Sequence, residues 1–501
     1  MKTIRVRNLR SLKDTGDIEL KPITLLVGAN SSGKSTFLRT FPLFKQSVNT
    51  KKTGPLLWYG TEVDFGSYST ALRKDADAMM FSFYWSDIVT ESYLRTHVLT
   101  SELRNVSLNV TLEKANDDAL INQFEISIGD NVIKAVRQKL QAEFDVFING
   151  HSSKELGLPV IREFVYERGI LPVVLVRAEG WGFFSEVTNT VLDCLQNCLR
   201  ETSLAPYSER FNADVYAEMI ISTRIEMAQR LVDLLEAPID SAELSREKGF
   251  EKFVVGYLLA NLRAMCSILN EQLDDDFNAS YYIKPFRASA ERYYRKQNLA
   301  VDALDSDGHN MAMFVSNMYK NRKIKPLFTE WTKRLFKFEL NVKESEGHVS
   351  LAIKEADGEE YNLMDKGYGY SQILPIILTL WQIYYKYAYA SSRSQQPIVI
   401  TIEQPELHLH PKLQAKLMDC FALIAREGKA QGLDVKFIIE THSQTMVNRL
   451  GTLIARSQYT ANDAIVLIFH EQSCNEESPQ VAGFSNEGYL TNWPIGFFEA
   501  E

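Results

Sequence analysis

The chain has 501 residues, 45% of them apolar and 24% charged, and a net charge of −9. That length is enough for one large core or for a core with a sizeable insertion, the composition is that of an ordinary soluble globular protein, and the acidic balance speaks against a coat of nucleic acid held by bulk charge while leaving a local basic patch open. Apolar runs stay short of the roughly 18 residues a membrane span needs, and the basic start MKTIRVRNLR has no apolar stretch of the kind a secretory signal carries, so a cytoplasmic protein is expected.

The first elements read as strands. Ile4, Val6 and Leu9 belong to one, Ile18 and Leu20 to another, and residues 23–27 form an apolar run that ends at Gly28. After Lys34 the spacing of Phe37, Leu38 and Phe41 predicts a helix. Val106, Leu108, Val110 and Leu112 alternate with polar residues, as do Phe124, Ile126 and Ile128, which is the period of a strand with one wet face. From about 136 to 280 helical spacing takes over, as in AEMIISTRIEMAQRLVDLLEA and FEKFVVGYLLANLRAMCSILNEQL, ending in Asp274, Asp275 and Asp276, which reads as a solvated helix end before it reads as a metal site. Beyond 281, strands and helices alternate. FKFELNV and HVSLAIK flank a turn at 344–347 and predict a hairpin, and the unalternating runs 398–402 and 435–439 suit strands covered on both faces. The five cysteines, Cys194, Cys198, Cys266, Cys420 and Cys474, are scattered and odd in number, which fits buried free thiols rather than disulfides or a zinc site.

Gly28-Ala29-Asn30-Ser31-Ser32-Gly33-Lys34-Ser35 fits the phosphate-loop pattern G-x-x-x-x-G-K-[ST] without a gap, between a strand and a helix. Asn30, Ser31, Ser32, Gly33, Lys34, Ser35 and Thr36 are therefore the candidate nucleotide contacts. Glycines let the backbone wrap phosphate, and free N–H groups at a helix start favour negative charge. Lys34 is placed to reach the β- and γ-phosphates, and the Ser35 hydroxyl to ligate Mg²⁺. Such a loop needs an acidic partner at a neighbouring strand end, and Glu403, which closes IVITIE, is the candidate second metal ligand. A second strand ends in Glu440-Thr441-His442-Ser443, where His442 stands within the expected reach of the γ-phosphate or the attacking water.

The order GANSSGKST, GYGYSQILPI, IEQPELHLHP, ETHS resembles that of ABC-type, SMC-like AAA family ATPases, and is close to the overcoming-lysogenization-defect ATPases and stand-alone phage-defence ATPases of PARIS or Septu type. VRNLRSLKDTGDIELKPITLLVG, VDFGSY, YYIKPFRASAERYY and GYLTNWPIGFFEAE extend the resemblance over roughly 1–85 and 281–501. It implies an α/β fold: an ABC-type P-loop ATPase head with a β-rich N-terminal lobe around the phosphate loop (1–135), a helical insertion (136–280) and a C-terminal part (281–501). It implies ATP and Mg²⁺ as cofactors, and a homodimer closed through the ATP sites, or a higher oligomer. Gly369, Ser371 and Gln372 would then act as a signature in trans, and Arg10 would point at the nucleotide.

The chain departs from the family where many members place Asp-Glu before the proline, since Glu403-Gln404 stands there. Glutamine orients a water but does not take its proton as a carboxylate does. Hydrolysis is therefore slow, or Glu406 or His442 assists. The roughly 60 residues after His442 fall short of a further domain beyond the last strand, so no nuclease is expected in the chain, and an effector, a nuclease by the resemblance, would act in trans. Lys320, Arg322, Lys323 and Lys325 cluster, followed by Lys333, Arg334 and Lys337. A second group, Arg287, Arg292, Arg295 and Lys296, is interleaved with Tyr293 and Tyr294. Both read as solvated faces before they read as DNA contacts. Three functions compete: a regulatory ATPase that controls a partner effector in antiviral defence, a DNA-acting ATPase of the repair or chromosome-maintenance kind, and a nucleotide-gated scaffold that scarcely hydrolyses.

Overall fold

Two hydrogen-bonding patterns divide the chain, one antiparallel and one mainly parallel, and each organises its own unit: residues 1–19 with 43–278, and residues 20–42 with 279–501. The computed structural model describes every residue except 49, 95–96, 116–117, 139–142, 153–159, 166–168, 178–188, 297–300, 302, 356, 390–396, 471–478, 495–496 and 498–501. Cys474 and the last residues of GYLTNWPIGFFEAE lie outside the described residues; Cys194, Cys198, Cys266 and Cys420 are free thiols.

The first unit is built on an antiparallel sheet that runs, strand beside strand, from Val173–Arg177 through Val160–Val165, Glu143–Ile148, Asn131–Arg137, Asp118–Ile128, His97–Ala115 and Ala78–Leu94 to Thr3–Leu9 and Leu12–Asp14. Period-two alternation is the cause. Val106, Leu108, Val110 and Leu112 are fully buried, and Phe124, Ile126 and Ile128 nearly so, while most of the residues between them are half-exposed. Strands continue to Arg177, well past residue 136, where the spacing predicts that helices begin, and the longer helices of this unit lie at Asn189–Arg200, Arg224–Leu235, Lys248–Ala260 and Leu262–Asn278. Within AEMIISTRIEMAQRLVDLLEA the helix restarts at Arg224, because the Thr223 hydroxyl and the Glu226 carboxylate satisfy each other's backbone N–H groups in a capping box.

The acidic triplet is solvated only in part, with Asp274 and Asp275 half-buried. Asp276 is 1% exposed, and its carboxylate accepts from the Trp85 indole (2.6 Å) and the Met1 ammonium (2.9 Å). These bonds anchor the last helix to the sheet, helped by the edge-to-face contact of Phe277 with Phe83, ring centroids 6.1 Å apart. No single helix among the described residues is long and apolar enough to cross a membrane; the bent pair Lys248–Ala260 and Leu262–Asn278 passes only jointly, and most of its apolar side chains are core.

The second unit carries a seven-stranded sheet in the order Tyr281–Ile283, Ile398–Glu403, Val435–Glu440, Ile23–Gly28, Ala464–Phe469, Gln480–Phe484, Leu490–Thr491, whose first five strands are parallel. Every residue of Ile398–Glu403, Val435–Glu440, Ile23–Gly28 and Ala464–Phe469 is buried, which is why these runs show no alternation. The phosphate-loop strand therefore belongs with residues from the far end of the chain, not with the β-rich N-terminal lobe to which chain order assigns it. Helices Tyr368–Tyr389, Pro411–Ala430 and Gln444–Ala455 bury their apolar sides in the same core. The expected hairpin forms, Phe338–Ser345 against His348–Glu355, with Ser345 opposite His348 and Gly347 at φ +76°.

In the first unit, burial pushes the Asp14 carboxyl up, but hydrogen bonds from Arg5, the Gly16 N–H and Arg7 outweigh it and bring it down from 3.8 to about 2. A carboxyl that ionises lower when folded stabilises fully above the unfolded value of 3.8 and loses that contribution as pH falls towards about 2. Asp14→Asn should cost about 1 kcal/mol at neutral pH, allowing for solvent screening of a clasp that is partly exposed. Chemical denaturation of both proteins should show the gap closing between about pH 4 and 2; a pH-independent gap would mean that the arginines contribute nothing through the charge.

Candidate nucleotide site

The loop between Ile23–Gly28 and the helix Lys34–Val48 is shaped by backbone constraints that particular residues meet. Gly28 has φ +141°, and a Cβ there would lie 2.1 Å from the Phe469 carbonyl oxygen of the adjacent strand, so no side chain fits. Ser31 and Gly33 take φ +61° and +107°, which turn the chain back before the helix begins with Phe37 N–H donating to Gly33 O. Asn30 and Ser31 are exposed at the tip, Ser32, Gly33 and Lys34 are buried, and Ser35 and Thr36 are half-buried. Lys34 folds over the loop, its Nζ donating to Ala29 O (2.5 Å), Gly28 O (3.0 Å) and Ser32 Oγ (3.4 Å). Burial lowers its pKa, and the nearby Glu440 charge opposes that shift.

Three strand ends meet this loop in register. Glu403 pairs with Glu440 across one parallel ladder, and Glu440 pairs with Leu26 across the next. The Glu403 side chain is claimed on both oxygens: Oε1 accepts from Arg39 Nε and the Tyr282 hydroxyl, Oε2 from Arg39 Nη2, all at 2.7 Å. The hydrogen bond to Glu403 raises the Arg39 pKa, while burial followed by the Glu403 charge raises that of Tyr282. Glu440, 3% exposed, is held differently. Burial raises its pKa, a hydrogen bond from the Ser35 hydroxyl opposes this, and the Glu403 charge adds to the rise. Its Oε2 is buried without a hydrogen-bond partner.

Gln404 follows with its backbone in the left-handed region (φ +43°), fixed by N–H donation to Glu440 O (2.9 Å) and by its own carbonyl accepting from Arg287 Nη2 (3.2 Å). Glu406 Oε1 accepts from His442 N–H at 2.6 Å, and burial raises its pKa, with Oε2 also buried and unpartnered. Glu406 thus sets the backbone that carries His442. The His442 ring is exposed, and partial burial and then the Lys34 charge lower its pKa, so the imidazole is neutral at pH 7.

The remaining candidates separate. In the helix Tyr368–Tyr389, Ser371 and Gln372 are buried: Ser371 Oγ donates to Tyr368 O (2.8 Å), and Gln372 Nε2 to Arg287 O (3.2 Å). Tyr368 at the start of this helix and Gly367 ahead of it are exposed, and Gly369 is half-buried. Arg10 belongs to the first unit, where its guanidinium donates to Asp64 O (3.1 Å) and lies 4.5 Å from the centroid of the Phe65 ring. Of the second basic group, Arg287 is buried, Arg292 pairs with Asp365 and Lys296 with Glu344. Lys320, Arg322 and Lys323 remain an exposed run, and Lys325 beside them is exposed as well.

Sequence reasoning places Lys34, Ser35, Glu403, Gln404, Glu406 and His442 in one neighbourhood, and they share the strand ends of this unit. It misses Arg39, Tyr282 and the Glu440 side chain. Glu440 has a signal, a carboxylate closing an otherwise apolar strand; Arg39 has none, since nothing in a helix sequence marks which turn faces an acid in a distant strand.

A family model for the AAA ATPase domain matches residues 1–241 and 268–447. Among curated proteins none matches the chain by sequence. Solved structures overlay loosely along most of the chain. The SMC head bound to the C-winged helix domain of ScpA is 10% identical over 97% of each chain, with a TM-score of 0.34. The Pyrococcus furiosus SMC head with an extended coiled coil, bound to the C-terminal domain of ScpA, is 11% identical over 97% of this chain and 96% of that one (TM-score 0.35). The SMC head domain from Thermotoga maritima is 8% identical over 97% and 98% (TM-score 0.34). Overlays at that level say nothing about activity.

The Glu403 clasp has a measurable weight. Arg39→Ala leaves a buried carboxylate without its bidentate partner and should destabilise the protein by about 2–3 kcal/mol, whereas Tyr282→Phe should cost about 1 kcal/mol. Denaturant unfolding of both variants checks this, and equal losses would show that the guanidinium is not the dominant partner.

Proposed function

We propose, from the premise that this chain belongs to the AAA ATPase domain family, that it is a slow, nucleotide-switched ATPase whose ATP-bound assembly controls a partner protein. The observation that carries this reading is the meeting of Lys34, Ser35 and the strand-end acids on one parallel sheet, with a glutamine at the next position, Gln404.

The loop N–H groups and the start of the helix at Lys34 offer donors to phosphate oxygens. Lys34 exchanges the Gly28 and Ala29 carbonyls for the β- and γ-phosphates, a short swing of an ammonium already seated at the loop. Ser35 and the strand-end carboxylates Glu403 and Glu440 are the groups that would hold a hard cation. Mg²⁺, when bound with ATP, neutralises phosphate charge and draws electron density from the γ-phosphoryl group. Gln404 positions a water without taking its proton. Neutral His442, on a backbone fixed by Glu406, is available to hydrogen-bond the γ-phosphate. Without a carboxylate at position 404 turnover is slow, and a long-lived ATP state is what a switch requires.

A second copy meets the exposed Gly367-Tyr368 turn in this reading, while Ser371 and Gln372 brace that turn from inside. The motif order that resembles stand-alone phage-defence ATPases supports an effector in trans, with a nuclease as the chemistry to look for. The exposed basic run at Lys320, Arg322 and Lys323 favours a second reading, a DNA-acting ATPase of the maintenance kind.

Phosphate release by wild type and Lys34→Ala, with and without duplex DNA, separates these readings. Slow multiple turnover that Lys34→Ala reduces by at least about a hundredfold, roughly 2.7 kcal/mol of lost transition-state stabilisation, and that DNA leaves unchanged, supports the switch. Strong stimulation by DNA moves the assignment to the second reading. Turnover that persists in Lys34→Ala would refute the site altogether.

A further inference from the structure

Gln404 is held in a conformation that its own sterics oppose. Its φ of +43° lies in the left-handed region, where a residue with a side chain is strained, and such strain persists only where neighbours over-determine it. Two bonds do so here. The Gln404 N–H donates to Glu440 O (2.9 Å), and the Gln404 carbonyl accepts from Arg287 Nη2 (3.2 Å). The backbone dihedrals set the direction in which a side chain leaves the chain, so a group that fixes them at position 404 also aims the amide.

Arg287 is an unusual residue to hold a turn. It is 5% exposed, its Nη1 donates to Lys284 O (3.2 Å), and its Nε is buried without a hydrogen-bond partner. Burial lowers its pKa to about 10, with the Glu406 charge opposing, so the guanidinium stays charged at neutral pH. A buried cation whose hydrogen bonds go to carbonyls costs stability that a well-packed apolar side chain would not. Its place follows from the strand Tyr281–Ile283, whose pairing with residues 400–402 brings the following segment alongside the turn after Glu403. That segment is also tied to the helix Tyr368–Tyr389. Gln372 Nε2 donates to the Arg287 carbonyl (3.2 Å), the Ala288 N–H donates to Asp307 O (2.8 Å), and Gly308 packs so closely on Pro375 of the helix that a Cβ there would lie 2.7 Å from its ring. Pro375 has no N–H to offer the Ser371 carbonyl, so the first turn of the helix, which carries Gln372, has fewer bonds to the turns beyond it.

We propose that Arg287 is a positioning residue for ATP hydrolysis: it clamps Gln404 in the orientation in which that side chain presents the attacking water, and through Gln372 it makes that orientation follow the first turn of the helix Tyr368–Tyr389. A shift of that turn then reaches Gln404 without passing through the phosphate loop. The assignment rests on the ATPase reading above and names the residue that sets its water-holding group.

The test separates turnover from binding in wild type, Arg287→Lys, Gln404→Ala and the double variant. Phosphate release from radiolabelled ATP with Mg²⁺, followed far enough to read single turnovers, gives kcat, and titration with a fluorescent ATP analogue gives affinity. Arg287→Lys should lower kcat about tenfold and leave affinity within about twofold, the pattern of a group that acts in the transition state and not in binding. In the Gln404→Ala background the same change should cost less than about twofold, because the side chain it orients is gone. Equal losses in both backgrounds would show that Arg287 only holds the fold, and would overturn the assignment. So would an Arg287→Lys protein that turns over like wild type, or one whose slower rate comes entirely from weaker binding. Should Arg287→Lys fail to fold, Gln372→Leu takes its place. It removes the bond to the Arg287 carbonyl and should lower kcat about threefold, again only while Gln404 is present; an equal loss without Gln404 overturns the assignment. A wild type with no turnover that depends on Lys34 would remove the ATPase reading itself, and the assignment with it.

Discussion

The parallel register of Ile398–Glu403, Val435–Glu440 and Ile23–Gly28 is the constraint on which the site depends. A parallel ladder aligns strand ends, and each of these strands ends on a residue that the site uses, two of them on carboxylates and the third on the glycine that begins the loop. Slipping one strand by a single residue would turn its terminal side chain to the other face. The chain resists that slip because both faces of these strands are packed, so every position is committed to the core. Ala464–Phe469 completes the arrangement from the other side, since its Phe469 carbonyl occupies the space into which a side chain at position 28 would extend.

Charge inside this framework is handled by pairing, not by exposure. Arg39 reaches from the phosphate-loop helix to Glu403, tying helix to sheet through a buried fork, and Tyr282 adds a third hydrogen bond from the strand on the far side. Arg287 plays a comparable part for the following turn, its guanidinium bonding the Lys284 and Gln404 carbonyls while its own carbonyl receives Gln372. The residues after Glu403 are therefore held by groups from several separate segments. That explains how a glutamine can be kept in the left-handed region, where a non-glycine residue costs energy.

What differs along the site is how completely each polar group is satisfied. Glu403 is saturated; Glu440 and Glu406 each keep a buried oxygen without a partner; Lys34 rests on carbonyls that water or phosphate could replace. Groups of the first kind hold a fold together. Groups of the second kind carry a standing energetic cost that a bound ligand relieves. The same contrast separates Asp276 from Glu440: it is buried as deeply, but an indole and an ammonium account for it.

Local pattern was sufficient wherever a short range of the chain determines geometry. The phosphate loop was legible because glycines, lysine and serine at fixed offsets are demanded by backbone turns and a helix start, and the alternating strands of the first unit because burial of one face imposes period two. Sequence also located Gln404 at the position where a base is usual. It could not show that Asp276 is buried, that strands run on to Arg177, or that residues 23–28 hydrogen-bond with strands from the opposite end of the chain. Nor could it show which of two glutamates at strand ends has both oxygens hydrogen-bonded. That choice depends on Arg39, Tyr282 and Ser35, whose approach is set by strand order and helix docking, and neither leaves a trace in the spacing of residues along the chain. Residue types and local spacing determined which chemistry was available; three-dimensional packing decided which of those groups were already paired and which were left able to bind.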